Sequence, residues 1–159
     1  MKKFLSLLLL SFLFIASCKK YPDGPSFSLR SPTQRLIGAW GLKTYSVDGV
    51  DSTTIFSNYT LLPGMDFKDP AVTDTAGYII RGGIDSSNYI TNLGLYALQN
   101  KKTELQLTSS LLVNQLNLAG PLMSNVAVTY KILRLKKSEL WLQTDFNGKS
   151  YELHYEKKK

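Results

Sequence analysis

The end of the chain restricts the fold most. Val126 to Leu135, Glu139 to Phe146 and Lys149 to Glu156 each alternate apolar with polar residues, and the short turns Lys136-Lys137-Ser138 and Asn147-Gly148 join them. A period of two turns one face of each segment toward a core and the other toward water, and Asn-Gly between two such segments is a strong hairpin signal. Strands joined this tightly pair antiparallel.

The pattern continues toward the N-terminus. Trp40, Leu42 and Thr44 alternate with Gly41, Lys43 and Tyr45, and Asp48-Gly49 supplies a hairpin turn. Ser52 to Thr60 reads as a polar strand, punctuated by Leu62-Pro63-Gly64, and Met65 to Lys68 as a short strand stopped by Asp69-Pro70. Thr75 to Ile84 is a stronger strand, with Gly82-Gly83 as a bulge or tight bend. Tyr89 to Leu98 and Glu104 to Thr108 form a hairpin across Asn100-Lys101-Lys102. Ser109 to Met123 departs from the pattern. Leu111, Leu112, Leu116 and Leu118 fit one or two helical turns, or an apolar loop, ended by Pro121. Ahead of the first strand, Ser31 as N-cap, Pro32 at the first position and Gln34 closing a capping box predict a short helix that Gly38 ends.

Eight or nine short strands in sequence order make a long meander, whose edges need protection. Closure into a barrel removes them, and a sandwich is the other closure. The expected fold is all-β: a single antiparallel up-and-down barrel of about eight strands with a short N-terminal helix.

The first residues follow a different logic. Lys2 and Lys3 precede an apolar run from Phe4 to Ile15, then Ile15-Ala16-Ser17-Cys18. A charged start, a short apolar run and small residues are the marks of a secretory signal, and the run is too short to span a bilayer. The last four residues resemble the lipobox of bacterial lipoproteins, and Cys18 is the chain's single cysteine. The resemblance implies cleavage after Ser17 and diacylglyceryl and fatty acyl (palmitate-type) chains on Cys18, enough to anchor a protein stably. It divides the chain into a signal peptide (1–17), a lipidated tether (18–31) and a barrel domain (32–159). Lys19 follows the cysteine where an aspartate would favour retention at the inner membrane, so the outer membrane of the cell envelope is expected.

The formal charge of +7 invites a nucleic-acid reading, which its distribution removes. Lys2 and Lys3 leave with the signal peptide, Lys19 and Lys20 sit beside the acyl chains, and Lys157 to Lys159 form a tail. Without these, Lys and Arg equal the 12 Asp and Glu, and residues 21 to 156 are formally neutral. Lys101-Lys102 and Lys136-Lys137 fall in turns rather than along a basic groove interleaved with aromatics. Lys19 and Lys20 fit anionic lipid head groups better, at about 1 kcal/mol each. No nucleic-acid partner is expected.

Leu36-Ile37-Gly38-Ala39-Trp40-Gly41-Leu42, followed by Tyr45 to Gly49, resembles the opening strand of lipocalin-like domains, especially the small lipocalin-like lipoproteins of Gram-negative bacteria. Gly94-Leu95-Tyr96 with Glu104 to Leu107 resembles that family's mid-barrel hairpin. Glu139 to Leu142 through Asn147 to Tyr151 resembles its closing hairpin. The match spans about 36 to 156. It implies a structural role for Trp40 across the closed end of the barrel and transfers no catalytic residue. Tyr96 stands where the family often has tryptophan.

Chemistry-bearing constellations are sparse. His154 is the only histidine and alternates with Glu152 and Glu156 onto an outer face. No Gly-x-Ser-x-Gly elbow, phosphate-cradling glycine loop or zinc ligand set stands in the sequence. The carboxylate pairs Asp48/Asp51, Asp66/Asp69 and Glu152/Glu156 read as solvated turn or outer-face groups. No catalytic residue, metal or cofactor is expected. Asp51-Ser52-Thr53 and Asp74-Thr75-Ala76 resemble a short O-glycosylation signal. The aromatics are the candidate binding material. Trp40, Tyr78, Tyr130, Tyr151 and Tyr155 point inward by alternation and either fill a core or line a cavity for a small apolar or amphipathic ligand. In the filled case, exposed loops would instead meet an envelope protein.

Overall fold

The structure is a computed structural model that describes residues 20–23, 28–73, 76–85, 87–114 and 120–159, with the side chains of 72, 73 and 111–114 outside the description. Cys18 and the lipobox lie outside the described residues, as do Asp74 and Thr75.

Helix α1 (Pro32–Leu36) starts as its sequence dictates. The Ser31 hydroxyl accepts the Gln34 backbone N–H, and the Gln34 side chain accepts the Ser31 N–H. Strand β1 (Gly38–Val47) follows directly. The Asp48-Gly49 turn, with φ of 51° and 78°, returns the chain into β2 (Val50–Asp51). Then come β3 (Leu61–Phe67), a helical turn α2 (Pro70–Thr73), β4 (Gly77–Gly83), β5 (Tyr89–Gln99), β6 (Glu104–Asn114), β7 (Val128–Leu135), β8 (Glu139–Phe146) and β9 (Lys149–Lys157).

Each strand pairs antiparallel with the next in the order β2-β1-β3-β4-β5-β6-β7-β8-β9, and β1 also pairs with β9 from Trp40↔Lys157 to Val47↔Tyr151. That last pairing closes an eight-strand up-and-down barrel. The ninth strand, β2, lies on the upper half of β1, where β3 no longer follows it.

Three expectations are corrected. Ser52 to Thr60 is not a strand: Thr53–Phe56 forms a 3-10 turn, held by the Asp51 carboxylate on the Thr53 N–H and the Thr53 hydroxyl oxygen on the Tyr45 N–H. Pro63-Gly64 does not interrupt β3. It sits at a register shift between Leu61 and Gly64, an irregularity where a missing ladder N–H is tolerated. Ser109 to Asn114 is neither helix nor loop but continues β6 along β5; Pro121–Met123 forms a 3-10 turn, and Leu116 and Leu118 lie outside the described residues.

The two barrel ends differ. At one, α1 covers the opening: Leu36 is fully buried and its carbonyl accepts the Trp40 indole N–H at 2.7 Å. Lys157 caps the helix by donating to the Arg35 and Ile37 carbonyls, as a cation at a helix C-terminus should. Tyr21, from the tether, is buried against the same end. The other end is a mouth bounded by loops. The closed sheet and the buried cluster fall within residues 20–159, so this segment carries its own core and folds as a unit.

Candidate binding site inside the barrel

Trp40, Tyr78, Tyr130, Tyr151 and Tyr155 all point inward and are buried, as alternation requires. They do not form one group. Trp40 lies at the helix end with its indole N–H satisfied, the structural place that the resemblance implies. Tyr78, Tyr130 and Tyr155 come together with Tyr45, which strict alternation had placed outside. The reason is a bulge: the β1–β9 register slips between Leu42 and Thr44, which leaves Lys43 and Thr44 both outward and turns Tyr45 inward. No residue type in the sequence marks that slip. The Tyr151 ring lies 5.9 Å from that of Tyr45.

Burial disfavours the charged phenolate and so raises the pKa of these phenols. The Tyr78 hydroxyl is pushed up to about 12 by burial, against the pull of its hydrogen bond to Asn92. Tyr130 and Tyr155 are raised well above the ordinary value by burial first, then by neighbouring phenols: Tyr78 and Tyr45 act on Tyr130, and Tyr130 and Tyr45 on Tyr155. All four hydroxyls stay protonated at neutral pH and face a shared interior. The Tyr130 and Tyr155 hydroxyls are buried with no hydrogen-bond partner among the described residues. Such orphan groups are uncommon and cost free energy.

A stopper built from two loops covers this cluster. Phe56, from the turn after β2, stands edge-on to Tyr45 at 5.3 Å and to Tyr59 at 5.1 Å. Leu122 comes from the segment before β7 and is likewise buried. Asn92 joins stopper to barrel: its amide donates to the Leu122 and Ser124 carbonyls, and its oxygen accepts the Tyr78 hydroxyl at 3.1 Å. Alternation shows that Asn92 faces the core, but not what a buried amide bonds there. The remaining space among Tyr45, Ile55, Phe56, Ile90, Gly120 and Leu122 is about 10 Å³, room for no more than a water. At this point the stopper leaves no room for a ligand beside it.

Outside the barrel, an open cleft of about 740 Å³ runs beside the tether, lined by Lys20, Pro22, Glu104, Lys131, Gln143 and Asp145. It has no aromatic lining and carries both charges. His154 lies on the outer wall, stacked on Trp141 at 4.1 Å and bonded to Glu152 at 2.6 Å, while the Arg134 guanidinium covers Trp141 at 3.5 Å. This is a cross-strand ladder over β7, β8 and β9, with no nucleophile in it. Asp48 accepts the Ser150 N–H, Asp66 pairs with Lys68 and Glu156 with Lys43, so these carboxylates serve turns and strand pairs. Among the described residues no group of three or more His, Cys, Asp or Glu could hold a metal ion, and no helix is long and apolar enough to cross a membrane.

Comparison with known proteins bears on the fold alone. No family model and no curated protein matches the sequence. Among solved structures, the chain is similar to a redesigned β-barrel (TM-score 0.50, 15% identity, 84% of this chain and 100% of that one). It is also similar to a lipocalin-like protein from Bacteroides uniformis (0.47, 18% identity, 78% and 99%) and to an uncharacterized protein from Bacteroides eggerthii (0.43, 16% identity, 74% and 97%).

Proposed function

We propose that the chain is a lipoprotein of the bacterial outer membrane, anchored through Cys18, whose lipocalin-like barrel binds a small apolar or amphipathic ligand without catalysis. The observation that carries the binding reading is the pair of buried hydroxyls, Tyr130 and Tyr155, which have no hydrogen-bond partner among the described residues and lie beneath a stopper made of loops. A ligand that displaces Phe56 and Leu122 gains an aromatic wall and two hydrogen-bond donors already desolvated and aimed inward. Among the described residues no lysine, arginine or carboxylate lies with the buried interior groups around these phenols, which favours a ligand neutral at the end that enters. The anchor rests on Ile15-Ala16-Ser17-Cys18 and the basic, apolar run before it.

The test is native mass spectrometry of residues 20–159 after incubation with a lipid extract of the envelope. A non-covalent adduct that leaves on denaturation, and that weakens in the Tyr130→Phe/Tyr155→Phe variant, supports the reading. A clean unliganded mass sinks it. A second reading then takes over, favoured by the apolar residues exposed at the mouth: Val50 (66%), Ile55 (48%), Leu61 (47%) and Val126 (60%). In that case the filled barrel presents its mouth to an envelope protein, and the anchor reading is untouched.

A further inference from the structure

The basic pairs that are scattered through the sequence share one place in the fold. Strands alternate direction around the barrel, so every second connection falls at the same end. The β5–β6 turn carries Lys101-Lys102, the β7–β8 turn carries Lys136-Lys137, and β9 delivers Lys158-Lys159 there. All three reach the end that α1 covers. Tyr21 bonds the Lys102 carbonyl and lies under the Arg35 guanidinium, Arg35 bonds the Leu135 carbonyl just before Lys136, and Lys158 donates its N–H to Ala39. Lys20 and Arg30, exposed on either side of the described tether, add to the same face.

Acidic groups at this end are fewer or engaged. Glu139 pairs with Lys136 at 2.9 Å and Arg134 at 3.2 Å, and Asp66 takes up Lys68. Glu104, directly after the Lys101-Lys102 turn, accepts the Asn100 amide, and Glu156 pairs with Lys43; Asp23 and Asp69 are the carboxylates of the described connections, and Asp74 follows Asp69 in the sequence. The mouth has the opposite sign. Its connections carry Asp48, Asp51 and Asp85, with Asp145 close by on β8, against Lys149 at the start of β9. The formal neutrality of residues 21 to 156 therefore hides a charge separation along the barrel axis.

Two observations say what meets the basic end. First, the tether enters there and is fixed. The Tyr21 hydroxyl donates to the Lys102 carbonyl at 2.9 Å and the Asp23 N–H to the Leu133 carbonyl at 3.0 Å, so the chain is held in place three residues after Cys18. Second, Leu29, beside Arg30, is 92% exposed on that side, an apolar side chain among cations. An anionic lipid surface fits all of these: head-group phosphates for the lysines, the interface for Leu29, and the acyl chains within three residues.

We infer that the helix-covered end of the barrel is a docking surface for anionic lipid head groups, which sets the barrel upright with its acidic mouth turned away from the membrane. The orientation rests on the anchor reading above, but the docking surface does not, and the two are separable by experiment.

Residues 20–159, without the acyl anchor, are mixed with vesicles of phosphatidylcholine alone or with about one-third phosphatidylglycerol, at about 0.05 and 0.5 M salt, and sedimented. The expected result is partition at least about tenfold stronger on the anionic vesicles at low salt, falling toward the zwitterionic level at high salt. Lys101→Glu, Lys102→Glu, Lys136→Glu and Lys137→Glu together should abolish the preference, while Lys149→Glu at the mouth leaves it intact. Lys158→Glu with Lys159→Glu, in the exposed tail, should weaken it without risk to the barrel. Equal partition of the wild type on both vesicles, or an anionic preference that survives both sets of reversals, overturns the docking surface. The intact mass of the envelope-extracted protein reports separately on acyl chains at Cys18. Acyl mass without domain binding leaves the anchor standing and removes the docking surface, and domain binding without acyl mass does the reverse.

Discussion

The Tyr21 hydroxyl donates to the Lys102 main-chain carbonyl at 2.9 Å, joining residues 81 positions apart. It makes the tether a packed part of the barrel at the helix-covered end. Tyr21→Phe should lower stability by about 0.5–1.5 kcal/mol, the worth of one hydrogen bond, and Tyr21→Ala by about 3–5 kcal/mol, the cost of emptying a buried aromatic site. Urea unfolding of residues 20–159 measures both. Equal, small losses for the two variants would mean that the tether is not held in solution.

Tyr130 and Tyr155 should respond in the opposite direction. An unpartnered buried hydroxyl costs about 1–3 kcal/mol, and phenylalanine has the same shape without it. Tyr130→Phe and Tyr155→Phe should each raise stability by about 1 kcal/mol while weakening any ligand adduct. A gain in stability with a loss of binding is what a site kept for function produces. A loss of stability in denaturant melts would instead show that the hydroxyls have partners in the unliganded protein.

The same phenols set an alkaline limit. Their folded ionisation is raised above the unfolded value of about 10, so the folded state holds protons that the unfolded state releases. This contribution is fully present below pH 10 and is lost as pH rises through the folded values, of which that of Tyr78 is about 12. Unfolding midpoints should therefore fall from about pH 10 upward, and the fall should be shallower in Tyr130→Phe/Tyr155→Phe. A tyrosinate absorbance titration that completes near pH 10 with the fold intact would contradict the burial.

Gly94 marks where β5 and β6 press together. A Cβ there would stand 2.0 Å from the Thr108 carbonyl oxygen and 2.9 Å from the Tyr78 ring, at the register shift between Leu93 and Gly94. Backbone cannot yield as a side-chain tip can. Gly94→Ala should cost about 3 kcal/mol or more, or prevent soluble expression. A variant within about 1 kcal/mol of wild type would mean that β5 and β6 separate more readily than their pairing implies.

Much of the architecture was legible because it is written locally. Ser31, Pro32 and Gln34 specify a helix start by hydrogen bonds within four residues. Asn147-Gly148 and Asp48-Gly49 adopt the positive φ that their turns need, and β8 and β9 keep an unbroken alternation from Leu140 to Tyr155. Antiparallel strands in chain order then leave closure as the way to remove edges, and β1 meets β9. The segments that misled are those whose structure depends on distant partners. Ser109 to Asn114 is a strand because β5 continues beside it, and Thr53 is held by the Tyr45 backbone.

The sequence by itself determined that this chain makes an antiparallel meander with a helix ahead of it and edges that need closing, and that aromatic rings turn inward along β4, β7 and β9. Those properties follow from side-chain period and turn chemistry. The tertiary structure decided the rest. A bulge in β1 chose Tyr45 over Thr44 for the interior, the loop stopper filled the mouth, and strand direction gathered Lys101, Lys102, Lys136 and Lys137 at the tether end. Each of these depends on where chain segments meet in space, and neither a period of two nor a net charge of +7 records that.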